Sequence, residues 1–265
     1  MIRVQDVRPA GAGPEAGGVR LITFDRPEAR NAFDTAMYAA AASAFDEAAG
    51  DDRVRVVVMT GAGPAFTAGQ DLRELAALAQ SDLSGGHAAA HGFPRMLDAV
   101  TRFDKPLVAA VNGAAVGLGF TLLAHADLVY VAESARLRVP FAEYGVPPEA
   151  ASSYLFPQRL GWQRAAEVLF TGDWVSAAQA VEWGLALRAY PDDELLPAAL
   201  GEAARVARGS LAALRGIKRL MQAWQQPHVA AALQAEAGGY AAQLGATTTI
   251  PATAPIAATT QTRKD

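Results

Sequence analysis

Residues 106–126 read PLVAAVNGAAVGLGFTLLAHA. Pro106 to Val111 is a short apolar run bounded by proline and by Asn112-Gly113, the pattern of a strand covered on both faces. The turn Val116-Gly117-Leu118-Gly119 follows, and the apolar segment Phe120 to Ala126 then predicts a helix. Strand, glycine turn and helix in immediate succession is the unit of an α/β fold, and the rest of the chain repeats it.

Upstream, the β-branched run Val54 to Thr60 predicts a strand that leads through GAGPAFTAGQDL into a helix near Asp71. Val19 to Arg26 reads as an earlier strand after the glycine-rich turn Gly11 to Gly18. Met37, Ala41, Phe45 and Ala48 recur at helical spacing, with Asn31 or Asp34 as cap and Gly50-Asp51-Asp52 as stop. Ser81 to Gly92, rich in Gly, Ser, Ala and His, reads as a cover or loop before a helix from about Phe93 to Phe103. Downstream, Asp127 to Ala132, Leu137 to Val139 and Leu185 to Ala189 are expected strands. Trp162 to Phe170 and the segment between Ser176 and Gly184 are expected helices. Beyond Asp193 only helical patterns remain: Leu195 to Arg208, Leu211 to Trp224 and Val229 to Leu244. The expected organisation is a core over 1–192, a helical C-terminal subdomain over 193–245, and a disordered Thr/Ala/Pro-rich tail over 246–265.

With 265 residues, 51% of them hydrophobic, the chain has apolar material for a sizeable core. A net charge of −4 without a Lys/Arg run argues against nucleic acid or an anionic membrane as partner. The absence of cysteine excludes disulfides and thiolate chemistry and fits a reducing compartment. No apolar stretch reaches the roughly 18 residues of a membrane helix, and the first residues lack a signal-type apolar region, so a cytoplasmic location is expected.

Residues 140–160, PFAEYGVPPEAASSYLFPQRL, centre on Glu149. Pro147-Pro148 hold the backbone extended, and the small residues that follow predict a helix beginning at once and running to Pro157, with Glu149 at its N-terminus. Read alone, Glu149 is a solvated helix-end carboxylate. The turns Phe66 to Asp71 and Val116 to Gly119 each follow a strand and open a helix, so each presents backbone N–H groups suited to an anion or oxyanion.

The segments AFTAGQDL, KPLVAAVNGAAVGLG, ADLVYVA and TGDWVSAAQAVEWGL resemble, in collinear order over about Val19 to Trp224, the crotonase (enoyl-CoA hydratase/isomerase) superfamily. The resemblance implies a spiral of ββα units with a helical C-terminal trimerisation region, assembled as a trimer or as a hexamer made of two trimers. It implies an acyl-CoA thioester as substrate and no separate cofactor, coenzyme A being part of that substrate. It assigns the oxyanion amides to Ala68 and Leu118, and CoA or substrate contacts to Arg26, Arg30, Gly69, Gln70, Asp71, Leu72 and Gly117. Hydratases of the family carry two glutamates at positions that here hold Thr121 and Phe141, neither of which supplies the carboxylate that hydration needs. PPEAASS resembles instead the P-E-G/A-x-S-S segment of peroxisomal-type Δ3,Δ2-enoyl-CoA isomerases, whose single catalytic glutamate aligns with Glu149. Phe141 and Leu155 are candidate walls of its acyl pocket. An apolar pocket raises the pKa of Glu149 and helix-end amides lower it, so its protonation is open at this point.

Alternatives in the same superfamily are a hydratase or a thioesterase; a dehalogenase of the superfamily has Asp and Trp where Glu149 and Phe141 stand, and this chain has neither. A non-catalytic acyl-CoA-binding protein is a reading from another class, and RNA binding lacks its basic stripe. His87 and His91 have a metal-binding spacing but no third ligand, so no metal is expected. His125 reads as a core residue, Glu143 as a solvent-facing or salt-bridged rival to Glu149, and Ser152 and Ser153 lack the partners of a nucleophile.

Overall fold

The computed structural model describes residues 1–7, 18–74 and 92–244. The expected cover at Ser81 to Gly92, His87 and His91, and the tail 246–265 lie outside the described residues, apart from Gly92 itself.

Strands β1 (Ile2–Val7), β2 (Gly18–Phe24), β3 (Val54–Gly61), β5 (Leu107–Val111), β7 (Leu128–Ala132) and β10 (Arg188–Tyr190) form one sheet in the order β1-β2-β3-β5-β7-β10. All its pairings are parallel except that of β1 with β2. Strands β4 (Ala65–Thr67), β6 (Ala114–Val116), β8 (Arg136–Arg138) and β9 (Val175–Ser176) form a second sheet in that order. Each of β3, β5 and β7 thus hands the chain through a tight turn to a short strand of the other sheet. The middle strands are buried almost throughout, which explains their strongly apolar reading. Strand β1 was not anticipated: it is mostly exposed, so no buried face imprints alternation on its sequence.

Helices α1 (Thr35–Gly50) and α2 (Phe93–Thr101) pack against each other. Asp34, not Asn31, caps α1, accepting from the Met37 N–H at 2.8 Å. Asn31 is instead fully buried, its side chain donating to Ala62 O at 2.9 Å and Ala65 O at 2.8 Å. The helix expected after the 106–119 segment is two short pieces, α3 (Leu118–Thr121) and a 3₁₀ turn Leu122–His125. Then come α4 (Phe141–Tyr144), α5 (Ser152–Leu160), α6 (Trp162–Thr171) and α7 (Ala177–Glu182), the last with a Ser176/Gln179 capping box. Leu185 and Ala186 are core residues, but the strand expected there starts only at Arg188, because the Ala186 N–H closes a turn onto Ala180 O.

After Asp193 the described elements are α8 (Leu195–Val206), α9 (Leu211–Gln222) and α10 (Gln226–Leu244). Helix α8 covers β2, β3, β5 and β7 with Leu195, Ala199 and Ala203. Two buried lysines tie the helices to the sheet. Lys105 Nζ donates to Ala48 O at 2.6 Å and Asp51 O at 2.7 Å, at the negative end of α1. Lys218 Nζ on α9 donates to Lys105 O and Asp127 Oδ2, both at 2.8 Å. Lys105→Met removes both bonds to the α1 terminus and is expected to cost about 3 kcal/mol in urea unfolding.

Candidate active site

The two glycine turns meet. A Cβ on Gly69, whose φ is +85°, would stand 2.5 Å from Val116 O and 3.4 Å from Leu118 N, so only glycine lets the first turn lie directly on the second. Gly117 adopts φ 54° and ψ −118°, a region open essentially to glycine, and this conformation starts α3. The Leu118 N–H is buried at that helix N-terminus with no hydrogen-bond acceptor among the described residues. A buried donor of this kind is costly unless a ligand meets it, and the helix end gives it positive character.

The other amide assigned by the resemblance requires a correction. The Ala68 N–H donates to Arg30 O at 2.9 Å and is committed to the scaffold. The chain beyond it pairs with Phe33 as a parallel bridge: the Phe33 N–H bonds Gly69 O at 2.7 Å and the Asp71 N–H bonds Phe33 O at 2.9 Å. Alternation then turns the Gln70 N–H away from Phe33.

Arg26 is engaged by carboxylates. Its Nη1 contacts Asp71 Oδ2 at 2.6 Å and Ala32 O at 3.1 Å, with Asp34 beside it, so carboxylates neutralise a guanidinium that the resemblance assigned to CoA phosphates. Asp71 is correspondingly occupied, since it also accepts from the Arg73 N–H and opens the helical turn at 72–74, which Leu72 enters half-buried. Arg30 lies exposed on the neighbouring turn in left-handed backbone.

Glu149 faces these turns: a Cβ on Gly117 would be 4.0 Å from its Oε1. Protein surrounds the carboxyl while part of the residue stays open, as befits a group that a ligand must reach. Burial, and then the charge of Glu236, push its pKa up to about 7. The opposing pull of helix amides is absent, because the helix does not begin at Glu149. Ala150 and Ala151, both at φ 57°, intervene, and α5 starts at Ser152. Two successive non-glycine residues in left-handed backbone cost about 1 kcal/mol or more each. The N-terminal amides of α5 go to Glu236 of α10, whose Oε2 accepts from the Ala151 N–H at 2.7 Å and whose Oε1 accepts from Ser153 N at 3.0 Å and Ser153 Oγ at 2.6 Å. Helix α5 also continues through Pro157 to Leu160, beyond the expected stop, at the cost of one internal hydrogen bond.

Phe141 and Leu155 are buried. Thr121 is fully buried, its hydroxyl on Leu118 O at 3.3 Å. Glu143 is exposed and paired with Arg138. Ser152 Oγ donates to Glu149 O at 2.6 Å, a structural bond rather than a nucleophile's. Among the described residues no group of three or more His, Cys, Asp or Glu could hold a metal ion. No motif in the sequence points to Glu236, Tyr240 or Tyr38. Both tyrosines lie within electrostatic range of Glu149, and burial first, then that carboxylate, raises their pKa values. Glu236 and Tyr240 arrive on α10, which also sets Gly239 against Pro147 and stacks His228 on Tyr154 at 5.2 Å. No local motif signals a contact across 85 residues.

Known proteins bear on this geometry. The profile of the enoyl-CoA hydratase/isomerase family matches residues 15–246. Enoyl-CoA delta isomerase 2 of Rattus norvegicus is 38% identical over 66% of this chain, which spans only 45% of that relative's length. 2,3-Dehydroadipyl-CoA hydratase of Escherichia coli (strain K12) is 34% identical over 82% of this chain and 84% of its own. A crystal structure of an enoyl-CoA hydratase/isomerase from Pseudoalteromonas atlantica T6c superposes with a TM-score of 0.79 at 36% identity, covering 85% of this chain and 88% of that one. Fold, turn geometry and these likenesses agree: the chain belongs to the enoyl-CoA hydratase/isomerase family, with the crotonase fold.

Proposed function

We propose that the protein is an enoyl-CoA isomerase that converts a 3-enoyl-CoA to the trans-2-enoyl-CoA. The observation that carries this reading is one carboxyl, Glu149, set beside Gly117 in the turn that presents the Leu118 N–H, with Thr121 and Phe141 where a hydratase needs acids. Glu236, the second carboxylate nearby, is engaged by two amides and a hydroxyl.

Ionised Glu149 takes a proton from C2 of the bound thioester, and the electrons move onto the thioester oxygen as a dienolate. The Leu118 N–H, with the Gln70 N–H as second donor in place of Ala68, stabilises that oxygen. The protonated carboxyl then delivers the proton to C4, the double bond comes to rest between C2 and C3, and the enzyme returns to its starting state. Phe141 and Leu155 are the acyl-pocket walls in this reading, while Arg30, Gly69, Gln70, Leu72 and Gly117 remain on the substrate side. The C-terminal helices act in self-association, for which α9 offers exposed Leu220 and Met221, and the turn after it exposed Trp224.

Since Glu149 must be ionised to accept a proton and its pKa lies at about 7, kcat/KM is expected to fall about tenfold per pH unit below that value. A test of the function pairs two assays, isomerisation of 3-enoyl-CoAs of several chain lengths and hydration of trans-2-enoyl-CoA. Isomerisation well above hydration supports the reading, and dominant hydration refutes it.

A further inference from the structure

The peptide joining Ala150 to Ala151 is held at both ends by side chains remote in sequence. Its carbonyl, Ala150 O, lies 2.8 Å from His125 Nε2, and its N–H donates to Glu236 Oε2 at 2.7 Å. A carbonyl only accepts, so Nε2 carries the hydrogen. Burial holds the His125 pKa down to about 4, which leaves the ring neutral with Nε2–H available as donor. Glu236 reaches in from α10, while His125 closes the 3₁₀ turn that continues directly from α3 and the Leu118 amide. The clamp therefore joins the base loop to the oxyanion turn on one side and to the C-terminal helix on the other. The backbone it grips is in left-handed conformation at two alanines immediately after Glu149, a conformation that persists only where surroundings impose it.

Resting on the reading of Glu149 as the base, we propose that His125 and Glu236 are positioning residues, a two-sided clamp on the 150–151 peptide that aims the Glu149 carboxyl at the oxyanion turn. Neither touches the reacting atoms. The clamp makes the aim of the base depend on the seating of α10.

Among the described residues, the titratable groups facing Glu149 are Glu236 and Tyr240 from α10 and Tyr38 from α1, with Glu74 next to Tyr38. Of these, Glu236 is the charge that the substitutions below remove. His125→Ala and Glu236→Ala are each expected to lower kcat about 10- to 100-fold with KM within about threefold, the scale of a displacement near 1 Å. His125→Gln, whose amide can still donate, is expected to recover most of kcat. Glu236→Gln keeps an acceptor but loses the charge, so the acid limb of kcat/KM should move to lower pH while kcat stays within about tenfold of wild type. If an alanine variant fails to fold, its glutamine counterpart decides. A change of less than threefold in kcat with an unmoved acid limb overturns the clamp, as does an effect confined to KM.

A substrate-free measurement separates this proposal from the functional one. The Glu149 carboxyl, observed by carbon-13 NMR with Glu149→Gln as assignment control, should titrate lower in Glu236→Gln than in wild type. That shift with no isomerase activity in wild type leaves the clamp standing and defeats the isomerase reading. An unmoved titration in an active isomerase defeats the clamp alone.

Discussion

Glu149→Gln is expected to reduce kcat for 3-enoyl-CoA isomerisation by about 10²- to 10⁴-fold while changing KM little, because the amide keeps the volume of the side chain but cannot accept the C2 proton. The same substitution should not destabilise the fold at high pH. A carboxyl whose pKa is raised to about 7 in the folded protein binds its proton more tightly folded than unfolded. Stability due to this group is therefore highest below the unfolded carboxylate value and declines as pH rises through about 7. Glu149→Gln escapes that decline, so it should melt at or above wild type at pH 8, and the difference should close toward pH 5. An inactive but destabilised variant at pH 8 would point to a structural role for the residue instead.

Gly69→Ala carries the second large effect. The added methyl falls 2.5 Å from Val116 O and 3.4 Å from Leu118 N, so the two turns must separate, in addition to the strain of φ +85°. Displacing an oxyanion donor costs about 10²- to 10³-fold in kcat, and that loss is expected here together with a lowered midpoint in denaturant. Gly184→Ala is the control: its φ is +78°, but a Cβ there meets nothing within 4 Å. It should cost about 1 kcal/mol of stability and leave kcat unchanged. Equal losses of activity in both variants would mean that strain alone, not the meeting of the turns, accounts for the Gly69 result.

Much of this arrangement was legible in the sequence, for definite reasons. Val54 to Thr60, Arg55 apart, and Pro106 to Val111 are strongly apolar because helices or the other sheet cover both faces, and their glycine punctuation marks where each strand passes to the second sheet. The helices after Asp193 were legible from period alone. What escaped was set by contacts distant along the chain. Ala150 and Ala151 favour helix by propensity, and their left-handed turn is gripped by His125 and Glu236, residues distant along the chain. That turn moves the start of α5 past Glu149 and leaves the helix amides to Glu236, which resolves the sign of the Glu149 pKa that sequence reasoning left open. The motif located the first glycine turn, but the amide to which it assigned the oxyanion role, Ala68, is bonded to Arg30 O. The alternation of Phe33 bonds with Gly69 and Asp71, visible only in three dimensions, turns the Gln70 N–H away from Phe33.

In the proposed mechanism one carboxyl moves one proton between two carbons of the substrate. Turnover of a 3-enoyl-CoA deuterated at C2 tests it directly, with the product read by mass spectrometry and NMR. A trans-2-enoyl-CoA carrying part of the label at C4 in wild type, and no turnover in Glu149→Gln, is the predicted result. A 3-hydroxyacyl-CoA as the main product, or unimpaired isomerisation by Glu149→Gln, would contradict it.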